Sequence, residues 1–176
     1  MHKNMERPLA MSLVVLGGMA RMAQHLNFAP VGALSLFAGA RMRGWKAYAL
    51  PLALMAITDP FVGGYSFATP FVYASFAISV WIGTRLRSTE NPAWIGAASL
   101  AGSVQFFLIT NLAYWLHPGS LYGHTLGGLG NCYLAAIPFF RHTALSDMLF
   151  TAVLFRLHFV LSRTVVRSER VAPLAA

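Results

Sequence analysis

The chain has 176 residues, 57% of them hydrophobic and only 10% charged, with a formal net charge of +8. An ordinary soluble domain carries roughly 45–50% apolar and about 25% charged residues, so a water-soluble globule of this size could not hide its apolar surface. The basic residues fall at the ends of apolar segments rather than in a basic domain, which points to orientation in a bilayer and away from nucleic acid.

The apolar stretches run to about 14–23 residues and are separated by Gly, Pro and basic residues, close to the roughly 17–25 of membrane spans. They predict an all-α membrane protein, a single polytopic domain over residues 1–176 with six transmembrane helices. The first helix is expected over residues 9–24. It runs on into membrane-like sequence without a small-residue cleavage site, unlike a signal peptide. Helix two follows over 28–40, after the polar step His25, Leu26 and Asn27. Helix three is placed at 45–58 and ends at Asp59 and Pro60, where proline interrupts the backbone ladder. Helix four covers 67–86, entered through Gly63 and Gly64, and helix five covers 93–116, with Pro92 near its first turn. A segment rich in glycine and aromatics, 117–143, is then expected to fold back as an outer lid. It carries a short helix over 134–140 and a hinge at Gly127, Gly128 and Gly130. Helix six closes the chain over 144–162.

The distribution of Lys and Arg gives the orientation. Lys3, Arg7, Arg41, Arg43, Lys46, Arg85, Arg87, Arg163, Arg167 and Arg170 fall on one side of this scheme and Arg141 alone on the other. The positive-inside rule then puts both termini and the 2–3 and 4–5 connections in the cytoplasm. Small residues four apart, at Ala29/Ala33, Ala49/Ala53, Ser75/Ser79 and Ala98/Gly102, permit close approach of helix backbones.

The uncommon polar residues gather at the outward ends, and Arg21, Asn27, Asp59, Asn111, Trp115, Cys132, Tyr133 and Asp147 are the candidate ligand-binding residues. The alternative is a polar rim satisfied by water and headgroups. Arg21 and Asp147 lie within expected spans and Asp59 ends one, so each calls for a partner; Arg21 with Asp59 or Asp147 is the expected ion pair. Arg156 shares a helical face with Arg163, Arg167 and Arg170, a pattern that fits anionic lipid headgroups or a cytoplasmic partner. The single cysteine, Cys132, excludes an internal disulfide. It reads either as a small hydrophobe or as a thiolate ligand to a metal-bearing cofactor. No HExxH, GxSxG, P-loop or paired-carboxylate arrangement is present, so no enzymatic activity is expected and no cofactor is assigned.

The stretch from His25 through Asn27, Pro30 and Ala33 with Leu36 to Ala40, the run Phe106 to Asn111, and Gly128 through Cys132 and Tyr133 to Phe140 resemble an uncharacterised family of small bacterial membrane proteins over about residues 25–155. More distantly, six helices with both ends inside, the step Asn27, Phe28, Ala29, Pro30 and a lid-like outer segment are similar to the substrate-binding S components of energy-coupling-factor vitamin transporters. That resemblance implies uptake of a vitamin, a cofactor precursor or a metal ion, powered by separate coupling and ATPase subunits. The competing expectation is a non-catalytic accessory subunit packed against other membrane proteins in a larger complex.

Overall fold

The computed structural model describes residues 3–20 and 30–171, and among them every regular element is a helix. In chain order these are α1 (Lys3–Ala20), α2 (Val31–Arg41), α3 (Lys46–Val62), α4 (Thr69–Thr84), α5 (Pro92–Leu116) and α6 (Leu126–Val171). Two stretches, Pro92–Leu116 and Leu126–Thr164, are long and apolar enough to cross a bilayer. The outward surface is apolar along much of its length, with Ile57, Ile78, Leu100, Leu108, Leu149 and Val153 all exposed. Contiguous exposure of this kind marks a lipid or protein contact.

The helix starts follow from local chemistry. Asn91 accepts the Ala93 N–H at 2.9 Å, capping α5 with Pro92 in its first turn. Thr125 accepts the Gly128 N–H at 3.1 Å through its hydroxyl and the Leu129 N–H at 2.9 Å through its carbonyl, which starts α6. This corrects the expected lid. The connection after α5 covers only residues 117–125, and residues 134–140 lie inside one helix that continues through the expected sixth span. Gly128 is a close-approach position rather than a hinge, since a Cβ there would stand 1.9 Å from the Gly123 carbonyl oxygen.

Helix α3 passes the expected stop at Pro60 and ends at Val62. Proline at 60 deprives the Ala56 carbonyl of its usual N–H partner. The Tyr65 hydroxyl donates to that carbonyl at 2.7 Å and replaces it.

The core is built around α2, which is buried at Val31, Ala33–Ala40 and packs against α1, α3, α4, α5 and α6. Its crossing with α4 is backbone on backbone. A Cβ on Gly39 would sit 1.9 Å from the Val80 carbonyl oxygen, and one on Gly83 would sit 2.1 Å from that of Leu36. Phe37 is fully enclosed and meets Phe155 edge to face at 5.4 Å. Arg87 reaches across the end of the bundle, donating through Nε to Gly39 O at 3.2 Å and through a terminal guanidinium nitrogen to Met42 O at 3.3 Å. The α2–α3 and α4–α5 connections, with their arginines, therefore lie at one end.

The four tryptophans, 45, 81, 94 and 115, all stand within about one turn of a helix end. Trp45, Trp81 and Trp94 are exposed beside the basic connections, and the Arg85 guanidinium lies 4.6 Å from the Trp81 ring centroid. Exposed tryptophan at helix ends is the pattern of side chains placed at a membrane interface.

Candidate functional site

Helix α2 begins without a local cap: Pro30 precedes it and has no side chain able to accept a hydrogen bond. The first N–H groups of a helix need acceptors, and its N-terminus favours negative charge. Both needs are met from α6. The Asp147 carboxylate, 6% exposed, accepts the Ala33 backbone N–H and, through Oδ2, the Ser103 hydroxyl at 2.7 Å. The fit depends on Gly32, where a Cβ would stand 2.3 Å from Oδ1 and 2.6 Å from Oδ2 of Asp147.

Asp147 heads a polar seam between α5 and α6. One turn along each helix, the Ser99 and Thr151 hydroxyls meet at 3.1 Å, and the Ser103 hydroxyl also contacts the Ser99 carbonyl at 3.2 Å. Ser103, Ser146 and Thr151 are almost wholly enclosed. Nearby on α5, Gln105 donates to Ser75 O at 3.0 Å, to Ser79 Oγ at 3.0 Å and to Gly102 O at 2.9 Å. Ser35 Oγ, Ser75 Oγ and Gln105 Oε1 are buried with no hydrogen-bond partner among the described residues. A buried polar atom left without a partner costs about 1–3 kcal/mol.

The second buried carboxylate, Asp59, accepts the Tyr73 hydroxyl, and Tyr73 packs against the cluster of Val31, Met55 and Phe76. The remaining candidates sit farther out along the α5–α6 pair. Cys132 is buried, and its thiol contacts the Asn111 carbonyl at 3.6 Å. Tyr133 donates to Leu108 O at 2.7 Å, and the Asn111 amide is bound within its own helix to Phe107 O at 2.8 Å. Trp115 Nε1 donates to Gly123 O at 3.0 Å, with the His124 ring 5.6 Å away. Among the described residues no group of three His, Cys, Asp or Glu side chains is placed to hold a metal.

Residues 2–170 match the model of a family of unknown function, DUF6580. The chain belongs to DUF6580. No curated protein and no solved structure matches it.

In this DUF6580 chain the eight sequence candidates are thus distributed rather than gathered. Asn111, Cys132 and Tyr133 come together where α5 and α6 pack, with Trp115 one turn beyond. Asp147 lies deeper, and Asp59 is held between α3 and α4. Arg21 and Asn27, and with them the expected ion pair, lie outside the described residues. The reading of sequence missed Gly32, Ser99, Ser103 and Thr151. A signal was available: Ser99/Ser103 and Asp147/Thr151 are each four apart, so each pair occupies one helical face, and the two pairs form matching rungs.

Proposed function

We propose that this chain is a membrane protein that binds a small vitamin- or cofactor-like molecule and takes part in its uptake, with the seam around Asp147 as the ligand-contacting centre. The observation that carries this reading is the position of the α2 N-terminus. Helix α2 has 11 residues, about 16 Å at 1.5 Å per residue, half of a hydrocarbon core of about 30 Å. It starts beside Ser103, the middle of the 25-residue α5, and ends among the basic residues at one end of the bundle. Transporters of several folds build sites near the midplane at the ends of short or broken helices. Here Asp147 of the chain itself meets the α2 N-terminus, which leaves an oriented carboxylate as the group for a ligand to contact.

On this reading the chain crosses a bacterial inner membrane six times with both ends in the cytoplasm, and the ligand arrives from outside. By the sequence resemblance to S components, transport would draw on separate coupling and ATPase subunits. The basic bias, the tryptophans at helix ends and the six-helix order support that topology.

The test is extraction of the full chain in mild detergent, mass spectrometry of retained small molecules, and a thermal-stability screen against water-soluble vitamins. A true ligand at about 100 times its Kd adds about 2.7 kcal/mol of stability. Asp147→Asn keeps the volume, and for a ligand that donates to this carboxylate a tenfold loss in affinity should cut that gain to about 1.4 kcal/mol or less. Absence of any bound or stabilising small molecule, with recovery of fixed membrane-protein partners instead, would replace this reading by the accessory-subunit one.

A further inference from the structure

We propose that the groove between the start of α5 and the C-terminal half of α6 binds an anionic phospholipid, its headgroup held by Arg41, Arg156 and Arg163 and an acyl chain laid along Ile95, Gly96 and Phe155. The groove encloses about 870 Å³ and starts where the Ser99–Thr151 contact ends. Its walls are mainly aliphatic and aromatic, and its charged lining comprises three arginines against one acid, Glu90.

The arginines are organised by the groove's own aromatic rings. The Arg41 guanidinium lies 5.0 Å from the Phe155 ring centroid, and those of Arg163 and Arg156 lie 3.8 and 5.8 Å from that of Phe159. Arg156 and Arg163 are exposed, and their planar forks suit phosphate oxygens. Exposed Trp94, in the first turn of α5, marks this end as the interfacial level, where a phospholipid carries its phosphate. A free phosphate would fill a small fraction of the volume and leave the apolar walls bare. A phosphocholine head would bring its own cation to three arginines, whereas phosphatidylglycerol brings only an anion. The groove adjoins the seam at Thr151, but the arginines that hold the headgroup take no part in the seam, so the lipid site does not rest on the uptake reading.

The experiment is native mass spectrometry of the delipidated full chain, titrated with phosphatidylglycerol and with phosphatidylcholine of the same acyl composition. Phosphatidylglycerol should bind at one per chain and at least tenfold more tightly, and millimolar inorganic phosphate should not displace it. Exchanging both exposed arginines, Arg156→Gln with Arg163→Gln, should bring the two lipids within twofold of each other. Gly96 lines the groove and a Cβ there meets open space, so Gly96→Leu projects into the path of the acyl chain and should weaken both lipids together. Equal affinity for the two lipids in the unaltered chain, a preference that survives loss of both arginines, complete displacement by phosphate, or unchanged binding in Gly96→Leu would each overturn the proposal.

Discussion

Gly32→Ala is the sharpest probe of the α2–α6 junction. The new methyl group would stand 2.3–2.7 Å from three atoms of the Asp147 carboxyl group, well inside contact distance, so the carboxylate must move. Its side chain is short, and moving it breaks the bonds to the Ala33 N–H and the Ser103 hydroxyl together. Hydrogen bonds to a charged group contribute about 1.5–3 kcal/mol each in soluble proteins, giving an upper bound of about 6. Polar contacts between membrane helices average about 0.6, giving a lower bound of about 1. A buried carboxylate has no water to turn to, which places the expected loss at about 2–4 kcal/mol. Gly96→Ala is the control: the same exchange in a helix with open space around it should stabilise by up to about 1 kcal/mol. Unfolding by titration with a denaturing detergent in mixed micelles measures both. In an Asp147→Ala background the obstacle is gone, and Gly32→Ala should then cost less than about 1 kcal/mol. A Gly32→Ala chain as stable as Gly96→Ala, or the same loss with and without Asp147, would refute the packing argument.

Other consequences are equally direct. Gly39→Ala and Gly83→Ala each drive a methyl group into a carbonyl oxygen of the facing helix, and backbone cannot step aside as a side chain can. Each should cost at least about 4 kcal/mol and abolish a monodisperse peak on size exclusion; normal elution of either variant would show that the α2–α4 crossing is looser than described. Tyr65→Phe removes the donor to Ala56 O and should cost about 0.5–1.5 kcal/mol, but much less in a Pro60→Ala chain, where the backbone N–H returns; equal losses in both backgrounds would separate the tyrosine from the proline. In a Cys132→Ser background, the proposed six-span topology predicts that an impermeant thiol reagent applied to intact cells labels Ser120→Cys and spares Ser88→Cys; labelling of Ser88→Cys from outside would overturn it.

Helices were legible where the chain carries its own instructions. The pair Asn91 and Pro92 marks the start of α5, and the expected bounds of α4 and α5 differ from the observed ones by no more than two residues. Glycine and proline misled where tertiary partners repair them. Pro60 reads as a stop because the hydroxyl of Tyr65, five residues on, is invisible to a local rule. The glycines at 127, 128 and 130 read as a hinge, although Thr125 caps a helix directly across them. The cost of charge in an apolar span calls for partners to Asp59 and Asp147, and the expected one, Arg21, lies outside the described residues. Among the described residues hydroxyls and a helix N-terminus meet these carboxylates, and neither carries a formal charge for a sequence reading to match.

The short α2 and the buried Asp147 explain one another. A helix of 11 residues enclosed by five others cannot carry its N-terminus to water, and the partial positive charge there would be left in a medium that screens it poorly. A carboxylate from another helix offsets it, and Gly32 leaves the space for that carboxylate to enter. The arrangement also constrains what the proposed site can accept. An anionic group approaching the α2 N-terminus must displace Asp147 or face it across a short distance, which is unfavourable in either case. A cationic or hydrogen-donating group meets a carboxylate already oriented by Ser103 and Ala33. Among vitamins that stabilise the chain, those presenting an ammonium, amidine or amide N–H should therefore lose at least tenfold in affinity in Asp147→Asn, because the charge-assisted bond becomes a neutral one worth about half as much. Vitamins that present only carboxylate or phosphate should bind poorly to the unaltered chain and no worse to the variant. Tight binding of such an anion that depends on Asp147 would contradict this account of the seam.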